Sequence, residues 1–87
     1  MRESIDYLLR EIANRVRRHK GVGEFERFAP ETRLREDLGF DSLDLAEFTV
    51  RIEEKCGLDV FAAGVVHTWG EIVTRVEQHG RDAKSGK

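Results

Sequence analysis

Apolar positions near the start of the chain recur with the period of a helix. Ile5, Leu8, Leu9, Ile12 and Val16 fall within an arc of about 100°, the width of a stripe that faces a core. Ser4 suits the N-cap, and Gly21 suits a stop after a basic last turn, so the pattern predicts a helix over residues 4–19. Periodicity is then lost through residues 21–40, where Gly21, Gly23 and Pro30 punctuate the chain and Phe25, Phe28, Leu34 and Leu38 supply apolar anchors. A connection of this length has to pack or function. The anchors predict that it packs over the core, with a helical turn near Leu34–Leu38. Gly39 then allows the tight turn that delivers Phe40 and Asp41 to the next element.

A second helix starts at Asp41-Ser42-Leu43-Asp44. Asp41 fits the N-cap, and Asp44 three residues on fits the reciprocal partner of a capping box. Leu45, Phe48, Thr49, Ile52 and Cys56 form the core stripe, and Gly57 ends the helix. The opposite face carries Leu43, Ala46 and Val50 beside Glu47 and Glu54, flanked by Asp44 and Glu53. Apolar residues ringed by charge of one sign suit a transient docking surface for a basic partner. Residues 58–66, LDVFAAGVV, fit a short strand, a short helix or an apolar loop. Thr68 and Glu71 make a second capping box, which opens a helix with Trp69, Ile72, Val73 and Val76 on one stripe and Gly80 as its stop. The pattern therefore predicts an all-α protein, a small three- to four-helix bundle over residues 1–80, followed by a disordered tail over 81–87.

Composition narrows this picture. Eighty-seven residues make one domain, and a 39% hydrophobic and 37% charged content gives a small core under a highly charged surface. The lone Cys56 excludes an internal disulfide; with no signal peptide and no long apolar run, a cytoplasmic location is expected, without a membrane span. One Cys and three scattered His lack zinc-ligand spacing, so no metal site is expected. The net charge of −2 conceals an uneven distribution: residues 2–20 carry a net +3 and residues 36–59 a net −6. The serine at position 42 lies in the acidic part.

Three readings of Ser42 compete. It is an ordinary first-turn helix residue, a nucleophile, or a site of modification. A nucleophilic serine needs a base within reach and an oxyanion site, and the chain offers neither G-x-S-x-G nor a positioned histidine, so no catalytic residue is expected. A helix start does favour a phosphate, through its unpaired N–H groups and the positive end of its dipole.

The segment EDLGFDSLDLAEFTVRIEEKCGLDV resembles the core of the acyl carrier proteins, whose pattern D-L-G-x-D-S-L leads into an acidic helix. Asp37, Leu38, Gly39, Asp41, Ser42 and Leu43 match it position by position. The first helix, the ETRL stretch and the VHTW stretch follow in family order, so the likeness spans residues 4–79. The resemblance implies that Ser42 bears a 4′-phosphopantetheine arm, attached by a separate phosphopantetheinyl transferase, with acyl cargo held on the arm's thiol as a thioester. It implies that Asp41 helps to position the transferase's magnesium and that Leu43 contacts partner enzymes. Asp44, Glu47, Glu53 and Glu54 would pair with basic patches on acyl-transferring, condensing or ligating enzymes, with Ala46 and Val50 filling the apolar contact. A monomer and no enzymatic activity of its own are implied.

The chain departs from the family in places. It is nearly charge-balanced, and Arg51 and Lys55 put positive charge on the second helix. Within fatty-acid, polyketide or specialised lipid synthesis, this points away from a carrier that serves every housekeeping fatty-acid enzyme and toward a dedicated one in a specialised lipid, polyketide or related pathway. Cys56 stands where a large aromatic often closes the core, and Phe61 where proline is usual; both bear on the size of any acyl-sheltering pocket. Cys56 reads as a buried small hydrophobe rather than a reactive thiol. The basic run RVRRHK reads as a complement to the helix dipole, with nucleic acid not expected as a partner, and Trp69 reads as core rather than a base-stacking platform. The alternatives are a peptidyl or aminoacyl carrier, whose motif usually has a second glycine where Phe40 stands, and a small helical interaction or nucleic-acid-binding domain.

Overall fold

The computed structural model describes residues 5–61 and 64–85, with side chains through residue 79. Three helices follow one another, α1 (Ile5–His19), α2 (Ser42–Cys56) and α3 (Trp69–Ser85), with no strand among the described residues. The all-α bundle expected from the periodicity is the observed fold. α1 packs against both other helices and buries Leu9, Ile12, Ala13 and Val16. α2 contributes Leu45, Phe48 and Ile52, and α3 contributes Trp69, Ile72 and Val76. Thr49 and Cys56, placed on the same stripe by the period of α2, are only half-buried, and the Thr49 hydroxyl is buried without a hydrogen-bond partner.

The connection between α1 and α2 completes the core. Phe28, Leu34, Leu38 and Phe40 are buried in it. The Phe28 ring centroid lies 4.5 Å from that of Trp69, and Phe48 bridges Phe40 at 5.4 Å and Trp69 at 6.3 Å. Trp69 is therefore a core residue, with its indole N–H donating to Asp6 Oδ1 at 2.8 Å.

Backbone pairing supplies what apolar packing alone would not fix. The loop meets the start of α3 through Leu34 N to His67 O at 3.0 Å, Trp69 N to Thr32 O at 2.8 Å and Gly70 N to Pro30 O at 2.9 Å. Glycine suits the last approach, since a Cβ at position 70 would sit 3.1 Å from the Pro30 carbonyl oxygen and the loop would have to give way by a few tenths of an ångström. Asn14 holds the other end of the loop, accepting from Phe25 N at 2.7 Å and donating to Phe25 O at 3.1 Å. Residues 34–37 form a hydrogen-bonded turn rather than a helix, and the described part of 58–66 is a loop tied down by Arg75, which donates to Val60 O at 2.6 Å and Gly64 O at 2.8 Å.

Two expectations for the C-terminal end change. α3 continues through Gly80 to Ser85, past the expected stop, so residues 81–85 are helical where a disordered tail was expected. A glycine inside a helix costs about 1 kcal/mol relative to alanine, too little to end a helix that continues into Arg, Ala and Lys. Residues 86–87 lie outside the described residues.

Candidate functional site

Ser42 is the first residue of α2, and its side chain is exposed. The position follows from the cap in front of it. Asp41 has extended backbone and accepts from Asp44 N at 2.9 Å, while Asp44 Oδ2 accepts from Asp41 N at 3.0 Å, so both halves of the expected capping box form. Because Asp41 does the capping, the serine hydroxyl is left free of that task. Gly39, at φ +75°, turns the chain into the cap, and Gly57, at φ +71°, ends α2 with its N–H on Glu53 O at 2.8 Å.

The basic end of α1 fixes this approach from the other side. Arg17 Nη1 donates to Leu38 O at 2.6 Å, and Lys20 Nζ donates to Gly39 O at 2.7 Å and to Asp44 Oδ2 at 2.5 Å. His19 Nδ1 lies 2.9 Å from Glu47 Oε2, which also accepts from Arg51 Nε at 2.9 Å. Sequence reasoning gave RVRRHK only a dipole-complementing role, yet three of its residues hold the loop and the acids of α2. The opposite charge of the two segments was the available signal.

Two carboxylates feel this arrangement. Burial pushes the Asp44 carboxyl up, but hydrogen bonds from Lys20 and from Asp41, with the Lys20 charge, outweigh it and hold the group below the ordinary carboxylate range. For Glu47 burial likewise pushes up, and hydrogen bonds from Arg51 and His19, with their charges, bring it below that range. Groups held low bind protons more weakly folded than unfolded, so they stabilise the fold above the ordinary carboxylate pKa and lose that contribution as pH falls through it. Thermal unfolding should therefore shift to lower temperature between pH 6 and pH 3. Asp44→Asn should be less stable at pH 6 and show a shallower decline; an equally steep decline would remove Asp44 as a source.

The expected docking residues divide. Leu43, Ala46, Glu47, Val50 and Glu54 share one shallow surface cleft with Arg51, and Leu43 is 80% exposed and Val50 52%. Asp44 and Glu53 lie outside that cleft. Asp44 is occupied by its cap and by Lys20, and Glu47 is shared between Arg51 and the His19 imidazole, whereas Glu53 and Glu54 are exposed and in no ion pair among the described residues. Cys56 is half-buried, and burial pushes its thiol up, away from the reactive thiolate.

On the other side of Ser42 lies a groove of about 520 Å³. Leu34, Leu45, Ala46, Phe61, Val65 and Val66 form its apolar lining, and Arg35 also faces it, with Nη2 3.3 Å from Ser42 Oγ. Of this lining, only Phe61 was tied in the sequence to any acyl-sheltering pocket; Arg35 was not read as part of the site.

An exposed hydroxyl at a capped helix start, between a groove and an apolar outer face, defines a small helical module that displays one serine side chain at the head of α2. Residues 10–67 match the family described as phosphopantetheine attachment site, and the chain belongs to that family. Among curated proteins and among solved structures, nothing matches. The protein is thus a phosphopantetheine-bearing carrier, served by a phosphopantetheinyl transferase and by partner enzymes, and carrier domains of this family are non-catalytic. No helix among the described residues is long and apolar enough to cross a membrane, and no group of His, Cys, Asp and Glu there could hold a metal ion. The site fits the arm: the hydroxyl is exposed, and the groove beside it has room for an extended chain.

Proposed function

We propose that the protein is an acyl carrier whose 4′-phosphopantetheine is joined to Ser42. The observation that carries this reading is the exposed Ser42 hydroxyl at the start of α2, within the matched family segment and beside a groove of apolar lining. On the transferase, Ser42 Oγ gives up its proton and displaces the nucleotide from coenzyme A at the pantetheine-bearing phosphorus, so one P–O bond forms as one breaks. Asp41 supports the reading as a magnesium ligand in that complex: Oδ1 is engaged with Asp44 N, and Oδ2 is in no hydrogen bond with the described residues. The arm supplies a thiol that carries cargo as a thioester; the protein supplies attachment, tethering and recognition. An apolar groove next to the attachment point favours an apolar acyl cargo over an amino acid.

Leu43, Ala46 and Val50 form the contact that partners cover, with Glu54 and Glu53 as its free anions and Glu47 as a partly neutralised one. Asp44 belongs to the cap more than to this surface. Exposed ion pairs contribute about 0–1 kcal/mol each, which suits a carrier that must leave each enzyme quickly. Incubation of the chain with coenzyme A, magnesium and a broad-specificity transferase should add the mass of one phosphopantetheine, mapped to the peptide that contains Ser42. No adduct, or one elsewhere, overturns the proposal. Glu54→Lys should slow loading by up to about fivefold at low salt, a difference that disappears as salt is raised. Rates equal to wild type at all salt concentrations would remove the electrostatic part of the docking face.

A further inference from the structure

The immediate surroundings of Ser42 are anionic, with Glu36, Asp37, Asp41 and Asp44 all within six residues of it in sequence. A phosphodiester joined at this hydroxyl adds another negative charge to the same patch. Repulsion would drive such a group outward unless a cation stands close by. The cations of this region are mostly engaged. Lys20 is held between Gly39 O and Asp44, and Arg33 is paired with Asp37, donating from Nη2 to Oδ1 at 3.3 Å and from its backbone N–H to Oδ2 at 2.7 Å. Arg35 is different. It is exposed, it is in no ion pair among the described residues, and its one hydrogen bond there goes to the Ser42 hydroxyl oxygen at 3.3 Å.

The turn at residues 34–37 explains the placement. Asp37 N and Leu38 N both donate to Arg33 O, at 3.0 and 3.1 Å, and Phe40 N returns to Leu34 O at 3.1 Å. This folds the chain back so that a residue seven positions before the serine stands beside it. Leu34 is buried and lines the groove from the core side, and its neighbour Arg35 lines it from an exposed position.

We propose that Arg35 is a clamp for the phosphodiester of the arm, an inference that rests on attachment at Ser42. A guanidinium already in hydrogen-bond range of the oxygen that becomes the ester oxygen sits next to any anion bonded to it. Its planar set of donors suits phosphate oxygens better than a lysine would. Because Arg35 lines the groove with Leu34, Leu45 and Val65, holding the root of the arm there lays it over the groove rather than into solvent. The clamp thus biases the carrier toward sheltering its cargo between encounters.

The test uses the full chain loaded from coenzyme A, with the adduct located by mass spectrometry, as wild type and as Arg35→Gln. Arg35 is exposed, so the substitution leaves the fold in place. In the wild type at low salt the phosphodiester ³¹P resonance should be shifted and broad, and in Arg35→Gln it should narrow at least about twofold as the group gains local motion on the nanosecond scale. The Arg35 Nε–Hε cross-peak of the wild type should also move on loading. Identical ³¹P spectra from two chains both loaded at Ser42 overturn the clamp and leave the carrier reading intact. A wild type that takes up no phosphopantetheine overturns both. Should Arg35→Gln resist loading, the wild-type cross-peak decides: displacement on loading supports the clamp, and an unmoved resonance overturns it.

Discussion

Ser42→Ala should abolish loading completely while leaving the fold almost unchanged. The first effect follows from chemistry, since alanine has no oxygen to form the ester. The second follows from the cap. The hydrogen bonds that start α2 belong to Asp41 and Asp44, and Ser42 contributes only an exposed contact with Arg35. Alanine is tolerated at a first-turn position, and surface substitutions away from such features fall within about 0.5 kcal/mol. For a domain of this size that is about 2–4 °C in thermal midpoint. Asp41→Ala gives a different balance: it removes the N-cap at a cost of about 1 kcal/mol and keeps the hydroxyl. It also removes the proposed magnesium ligand, so loading should slow without being abolished. Mass spectrometry for loading and circular dichroism for melting separate the two. Residual phosphopantetheine on Ser42→Ala would place the attachment at another residue.

Phe48→Ala should cause the largest loss of stability. The ring is fully buried and lies between Phe40 and Trp69, with centroids 5.4 and 6.3 Å away. Truncation removes the transfer free energy of the ring and leaves a cavity that three helices cannot easily close, at about 3–5 kcal/mol. A small domain has about 5–10 kcal/mol in total, so about a third or more of the stability goes, and the midpoint should fall by more than about 12 °C. Loading should become slower as well, because Phe40 immediately precedes the capping Asp41 and loses the ring it packs on. A fall of less than 1 kcal/mol in denaturant unfolding would mean that the core collapses onto the void and that Phe48 does not organise it.

Helices α1 and α2 were legible because their apolar stripes repeat at 3.6 residues, and α2 and the start of α3 also because their caps use side chains with a known preference. The Ser4 cap expected for α1 lies outside the described residues. Asp41, Asp44, Thr68 and Glu71 all cap as their spacing required, with Glu71 Oε1 accepting from Thr68 N at 3.2 Å. The core residues between helices were legible only as anchors. Leu34 and Val66 are buried one at a time, by backbone pairing of residues 30–34 with 67–70, and a single bridge leaves no periodic trace. The end of α3 was misread because one glycine is a weak stop. In the proposed site, Ser42 stands out in the sequence by its motif, whereas Arg35 does not: seven residues of sequence separation say nothing until the turn at 34–37 brings the two side chains together. The share of Glu47 taken by His19 was equally hidden, since a charge in a sequence does not name its counter-ion.

That last contact has a consequence for how such a carrier could be retargeted. His19 belongs to α1, yet it rests on Glu47, an acid of the docking face proposed for α2. Exchanging the imidazole for a neutral amide, or for a permanent cation, would alter the potential met by an approaching enzyme while every residue at the contact itself stayed the same. On the proposed docking face, partner preference would then be adjusted from behind the surface that does the choosing.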